Sequence, residues 1–213
     1  AQIPVMTYQE AMDRFGSDKP DLRFGMELKD ISPAVKDSEF KVFSATVSNG
    51  GQVKGINFKG GADTPRRTID GYVDYVKEFN AKGLAWMALK EGEIKSPITK
   101  FLTEEEIARI IEIMEGEEGD LLLFVADNRK VVADALGNLR LKIAREADLI
   151  PEDIYEFLWV IDFPMFEYSE EEKRYVSVHH PFTAPLDEDL DLLETEPEKV
   201  RSKAYEIGRA SWR

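Results

Sequence analysis

The spacing of apolar residues changes several times along the chain, and each change predicts an element. Thr7 precedes a helical pattern, Glu10 follows it at capping-box spacing, and Gly16 closes the pattern. The stretch GSDKPDLRFG predicts a turn-rich connector, because Pro20 keeps Lys19 out of helical geometry. From Phe40 the period becomes two. KVFSATVS and QVKGINF then predict paired strands, joined at Asn49-Gly50 by a type I′ hairpin turn with Gly51 as a bulge. A helix is expected from Thr64-Pro65, with Ile69, Tyr72, Val73, Val76 and Phe79 on one face and Gly83 ending it. The strand LAWMAL follows. Thr103 and Glu106 form a second capping box, opening a helix with Ile107, Ile110, Ile111 and Met114 in a stripe that stops at Gly116. LLLFVA predicts a buried strand, and Asp127 is expected to cap a long helix carrying Val131, Val132, Ala135, Leu136, Leu139 and Ile143. Beyond it, FLWVIDFPMFEY and RYVSVHHPFTAP predict one long antiparallel pair around the acidic loop Ser169–Arg174. The tail EDLDLLETEPEKVRSKAYEIGRASWR is expected to begin as a short polar helix and end irregularly.

Strands and helices alternating in this way give a compact α+β unit over about Val35 to Asp148. A chain of 213 residues with 43% hydrophobic content can bury one substantial core or two smaller ones. The formal net charge of -14 leaves an average surface that repels phosphate backbones, so RNA contact has to be local or made by other parts of a larger protein. Cysteine is absent, which excludes disulfides, thiolate metal sites and thiol nucleophiles. No apolar run approaches the roughly eighteen residues of a membrane span, and the first residues lack a secretory pattern. The expectation is a soluble cytoplasmic protein with no membrane partner. The acidic loop reads as a solvated turn, because consecutive loop carboxylates make poor metal ligands.

The chemistry-bearing residues are few. Only two histidines occur, His179 and His180, and adjacency in an extended strand would send them to opposite faces. Pro181 favours extended geometry up to the turn. One imidazole could then donate to a carboxylate or phosphate oxygen while the other packs, and ordinary structural roles fit the spacing equally well. Asp162, in an otherwise apolar run, is either hydrogen-bonded at a buried turn or part of a site. The glycines of GINFKGG have phosphate-loop spacing, but Gly61 stands where that loop needs lysine, so hairpin and turn roles are expected. The chain shows no nucleophile triad order, zinc-protease motif or dinucleotide fingerprint.

Several segments, in order, resemble one known family. MTYQEAMDRFGSDKPDLRFGMEL, GGQVKGINFKGGA, AKGLAWMALKEG with SPITKFL, GDLLLFVADNRKVVADALGNLRLK, LWVIDFPMFEY and HHPFTAP are similar to consecutive stretches of bacterial-type aspartyl-tRNA synthetases. The resemblance implies an α+β fold in three parts: a catalytic-domain segment and connector at 1–34, a GAD insertion domain at 35–148, and a catalytic-domain segment at 149–213. The insertion would have a largely antiparallel sheet with flanking helices, and the flanks would belong to a class II antiparallel catalytic sheet.

The same resemblance implies activation of aspartate by ATP with Mg2+, transfer of the aspartyl group to tRNA(Asp), and a homodimer. It places His179 and His180 at the aspartate. Glu206, Ser211 and Arg213 would be at ATP, with Glu206 also at the metal. The tail departs from the family pattern: Arg209 and Ala210 stand where glycines are usual, and several residues are missing between Ala204 and Glu206. The segments holding the family's α-phosphate arginine and its anticodon-binding domain have no match here. The expectation is therefore an internal stretch of the enzyme, inactive alone. The alternative is a non-catalytic GAD-type accessory domain, as in a tRNA-dependent amidotransferase subunit.

Overall fold

A computed structural model describes residues 3–169, 171–180, 182–204 and 206–209. The chain divides into two units: one holds residues 13–17 and 23–153, the other residues 1–12, 18–22 and 154–213.

The larger unit is built on a five-stranded sheet in which every neighbouring pair is antiparallel. Its order is Lys29–Asp30, Gln52–Phe58, Leu121–Asp127, Ala85–Lys90, Glu93–Lys95. The central strand Leu121–Asp127 explains the layering. Side chains alternate across a strand, so Leu121, Leu123 and Val125 enter one core with Ile69, Tyr72, Val76, Leu136 and Leu139. Leu122 and Phe124 enter a second core with Val35, Phe43, Ile110 and Met114. Helices Arg66–Lys77 and Arg129–Glu146 thus cover one face, and Ser32–Val35, Lys41–Ser48 and Glu104–Met114 the other. Complete burial contributes about 1.5–3 kcal/mol for each such Leu or Phe. That is why the run reads as continuously apolar.

Several expectations hold at the level of single bonds. Thr7 Oγ1 accepts from Glu10 N at 3.1 Å at the start of helix Tyr8–Phe15. At Thr103 both arms of the capping box form, Glu106 N to Thr103 Oγ1 at 3.2 Å and Thr103 N to Glu106 Oε2 at 2.9 Å.

Others are corrected. KVFSATVS is a helix, Lys41–Ser48, and no hairpin forms at Asn49-Gly50. The dipeptide ends the helix instead. Gly50 has φ +81°, Gly50 N donates to Val47 O at 3.0 Å, and Gly51 N donates to Thr46 O at 2.9 Å. Those two bonds define a Schellman closure, which needs a left-handed residue as much as a type I′ turn does. The hydroxyls within the run turn back on the helix, Thr46 Oγ1 to Val42 O and Ser48 Oγ to Ser44 O. The helix Arg66–Lys77 stops before Gly83, with Asn80 at φ +65°. The cap of Arg129–Glu146 is Asn128, whose side chain accepts from Val131 N at 3.0 Å, while Asp127 completes the strand and accepts from Asn128 N.

Two buried cations were not foreseen. Arg140, only 1% exposed, lies over the rings of Phe15 and Phe24 and donates to the carbonyls of Phe24, Gly25 and Met26. Lys54 donates to the carboxylate and the carbonyl of Asp13, at 3.1 and 3.0 Å. Lys54 thus ties down the last turns of the helix Tyr8–Phe15, and Arg140 holds Phe24–Met26, at the end of the expected turn-rich connector.

In the smaller unit, Phe157–Ile161 is the middle strand of three. It pairs in parallel with Val5–Thr7 and antiparallel with Glu206–Arg209. The expected long antiparallel pair is therefore interrupted, and the described part of the tail includes the strand Glu206–Arg209, while the last four residues lie outside the described residues. The run FLWVIDFPMFEY bends at Asp162, which has φ +58°, and Pro164 makes only an isolated bridge, to Arg201. A proline without an N–H cannot continue a ladder on both sides. Phe166–Ser169 then forms a separate ribbon with Arg174–Ser177 across the acidic turn. The 3-10 turns Asp187–Leu192 and Pro197–Lys199 replace the expected polar helix. Among the described residues, no helix is long and apolar enough to cross a membrane.

Candidate functional site

The ribbon strand ends at Ser177, so His179 and His180 lie just beyond it and not within a strand. They nevertheless diverge. Val178 N donates to Met165 O at 3.1 Å and Ser177 Oγ to His179 O at 2.9 Å, which fixes the chain where it leaves the ribbon. The His179 ring then meets Phe163 edge to face, centroids 5.6 Å apart, and Phe163 in turn packs on Tyr8 at 5.3 Å. His179 Nε2 is shielded from solvent and has no hydrogen-bond partner among the described residues. His180 points outward. Its Nδ1 accepts from Phe182 N at 3.3 Å, and its ring lies 4.7 Å from that of Phe182, which is 91% exposed.

An uncompensated buried nitrogen costs on the order of 1–3 kcal/mol. The backbone of Glu206 lies in the strand against Phe157–Ile161, while its side chain, and Ser211 and Arg213 entirely, lie outside the described residues.

Asp162 faces a depression of about 450 Å3 lined also by Thr7, Gln9, Lys199 and Arg201. Arg201 is the charge centre of this region. It donates from Nε to Asp189 Oδ2 at 2.9 Å and from Nη2 to Asp189 Oδ1 at 2.9 Å, and lies 3.8 Å from Asp162. Its side-chain and backbone hydrogen bonds to Asp189 hold that carboxyl below the usual carboxylate range. The Asp162 carboxylate is thus near a structural ion pair, and its left-handed backbone marks the bend between two strands. Neither Arg201 nor Asp189 carries a sequence signal, since their meeting depends on the turn Asp187–Leu192 folding back. Among the described residues no three histidine or carboxylate groups gather in a way that could hold a metal ion.

These features define an α+β chain in which an independently cored sheet unit accompanies a smaller unit with a divergent histidine pair. Residues 43–136, inside the larger unit, match the GAD domain family. The chain is 71% identical over 206 residues to the aspartate–tRNA(Asp/Asn) ligase of Halothermothrix orenii, covering 97% of this chain and 35% of that protein. It is 61% identical over 202 residues to the enzyme of the same name from Caldanaerobacter subterraneus subsp. tengcongensis, covering 95% and 34%. Against the aspartate–tRNA ligase of Halalkalibacterium halodurans it is 55% identical over 206 residues, covering 96% and 35%. Over nearly its whole length the chain is similar to proteins named aspartate–tRNA ligase, and it spans about a third of the length of the curated relatives it matches.

Proposed function

We propose that the chain is part of an aspartate–tRNA ligase that activates aspartate with ATP to aspartyl-adenylate and passes the aspartyl group to tRNA(Asp). In this reading the chain contributes part of the aspartate-binding side. The observation that carries it is the shielded, unpartnered Nε2 of His179, set in a chain that relatives named for aspartate match almost end to end. A dicarboxylate ligand needs directional partners in a partly dehydrated place. Phe163 provides the dehydrated wall and the ribbon end provides the direction.

His180 takes the outer position beside the same ligand. Glu206, Ser211 and Arg213 are assigned to ATP, and Glu206 to magnesium. When bound, that ion offsets phosphate charge on ATP. The working enzyme is a cytoplasmic homodimer. The domain limits proposed for it are 1–34, 35–148 and 149–213, and the 213-residue chain alone does not form the adenylate.

The test is a graft of this chain in place of the matching third of the Halothermothrix orenii ligase. The chimera is expected to support aspartate-dependent ATP–pyrophosphate exchange, and the isolated chain none. In the chimera, His179→Ala should raise KM for aspartate about tenfold or more and leave KM for ATP within about twofold. Exchange by the isolated chain would overturn its dependence on the rest, and an unchanged aspartate KM would remove His179 from the site.

A second reading is an accessory GAD-type domain without catalysis. It is favoured by the confinement of the GAD match to the unit with its own two cores. A folded chimera without exchange activity would support it.

A further inference from the structure

The larger unit contains a trough that no part of the ligase reading uses. Its volume is about 710 Å3, within the range of small-molecule sites. The floor is the sheet face bearing Phe124, Ala126 and Ala85. One wall is the helix Lys41–Ser48, through Val42, Ala45 and Thr46, and the other is Pro97 and Ile98. The open part of the floor is Ala126 and Ala85, which are only partly buried, while Phe124 is buried in the second core.

The charges around the trough run against the rest of the molecule. The chain has 42 acidic and 28 basic residues, yet the lining carries two lysines, Lys41 and Lys82, and a single acid, Asp127. Strand alternation places the Asp127 side chain with Leu121, Leu123 and Val125, on the opposite face from Phe124 and Ala126. Its Oδ1 accepts from Asn128 N. Its Oδ2 is buried and has no hydrogen-bond partner among the described residues, so Asp127 is the one carboxylate at the trough, at the end next to Lys82. Lys41 and Lys82 form no ion pair among the described residues, unlike Lys29, Lys59 and Lys90 of the same unit, which pair with Glu115, Asp120 and Asp63.

The two lysines are not equivalent. Ala85 pairs with Phe124, so Lys82 lies toward Asp127 and the C-terminal end of the helix at Asn49–Gly51. Lys41 is the first residue of the helix, where the N-cap Phe40 offers no side-chain acceptor to the first turn. Lysine charge and free first-turn amides therefore combine at one end only. A helix of eight residues is about 12 Å long, beyond the roughly 8–10 Å screening length at ordinary salt.

We infer that this trough is a binding site for a small aromatic or branched-apolar anion. The apolar body lies on Ala126 and Ala85, and the acidic head group sits at Lys41 and the first turn of the helix. The inference is independent of the ligase reading, since it uses only residues of the larger unit.

The probe is 8-anilinonaphthalene-1-sulfonate, titrated into the full 213-residue chain by fluorescence. N-phenyl-1-naphthylamine supplies the same rings without the charge. Saturable one-to-one binding is expected, about tenfold or more tighter for the sulfonate than for the uncharged dye. Lys41→Glu should weaken the sulfonate about tenfold or more, and Lys82→Glu less than about threefold, because its charge is screened from the head group. Ala126→Leu, which fills the floor, should weaken both dyes. Amide shifts on binding should concentrate at residues 41–51 and 82–85. Absent or unsaturable binding overturns the site. Equal affinity for the two dyes, or Lys41→Glu without effect, overturns the anion and leaves an apolar recess only. Lys41 is exposed, so its variant folds and decides the matter even where Ala126→Leu does not.

Discussion

Gly16 and Gly137 meet backbone to backbone. A Cβ placed on Gly137 would lie 2.7 Å from Gly16 O, and one on Gly16 would lie 2.2 Å from Ala133 O. Gly16 also has φ +67°, so it serves both as the helix terminator foreseen from sequence and as the point where the chain crosses the long helix Arg129–Glu146. Gly137→Ala should destabilise the larger unit by about 1–3 kcal/mol, the usual cost of overpacking against backbone that cannot retreat. Gly16→Ala should cost more, because a left-handed φ is added to the clash. Urea unfolding midpoints for the two variants check both the size and the order.

Asp120, 3% exposed, joins two turns through its carboxylate. It accepts from Gly60 N at 3.0 Å, Glu117 N at 2.9 Å and Asn57 Nδ2 at 3.0 Å, and pairs with Lys59 at 2.9 Å. Burial alone would raise its pKa, but the hydrogen bonds from Glu117, Lys59, Gly60 and Asn57 outweigh burial and leave it below the ordinary carboxylate value. A depressed folded pKa contributes stability that is complete above the unfolded value and is lost as pH falls through the folded one. Asp120→Asn should therefore destabilise by about 1.5–3 kcal/mol near neutrality. Its deficit relative to the parent chain should narrow below about pH 4. Denaturant curves at pH 7 and pH 3 test this. A deficit that stays constant with pH would remove the charge from the explanation.

Gly50 separates the two readings of KVFSATVSNGG. With a Schellman closure, Gly50→Ala should cost about 1 kcal/mol, while Gly50→Asn should cost less, since asparagine tolerates the left-handed region. Amide exchange should show protection for Ala45 through Gly51 by the helical carbonyls, and loss of protection at Gly51 N in the alanine variant. Strand-type protection of Lys41–Ser48 by partners on Gln52–Phe58 would contradict the helix.

How far the chain could be read beforehand follows from where each signal resides. The side-chain cap at Thr7 and the capping box at Thr103 are local, and both were legible. So was the central apolar strand, because two-sided burial writes itself as an unbroken run. Asn49-Gly50 misled because one backbone requirement serves two structures. The histidines were legible as candidates, but their divergence comes from packing on Phe163 past a strand end, not from strand alternation. Arg140 could not have been read at all: its partners at Phe24–Met26 are distant in sequence, and nothing marks a buried arginine until the turn is folded around it.

His179 should show opposed effects on stability and binding. In the isolated chain, His179→Phe removes an unpartnered buried nitrogen while keeping a ring against Phe163, and should raise stability by up to about 1 kcal/mol. In the chimeric ligase the same change should abolish saturation by aspartate. Thermal unfolding of the chain and exchange kinetics of the chimera provide the two readouts. A destabilised variant would mean the nitrogen already has a partner in solution.

The strand Leu121–Asp127 lends alternate side chains to both helical layers, so neither layer can detach without stripping residues the other depends on. Its amides should be the last in the larger unit to exchange with solvent, opening only when that whole unit does. A one-residue insertion just ahead of it, at Asp120, would exchange the two sets of side chains and leave both layers facing the wrong surface. Cooperativity here is a matter of parity as much as of contact.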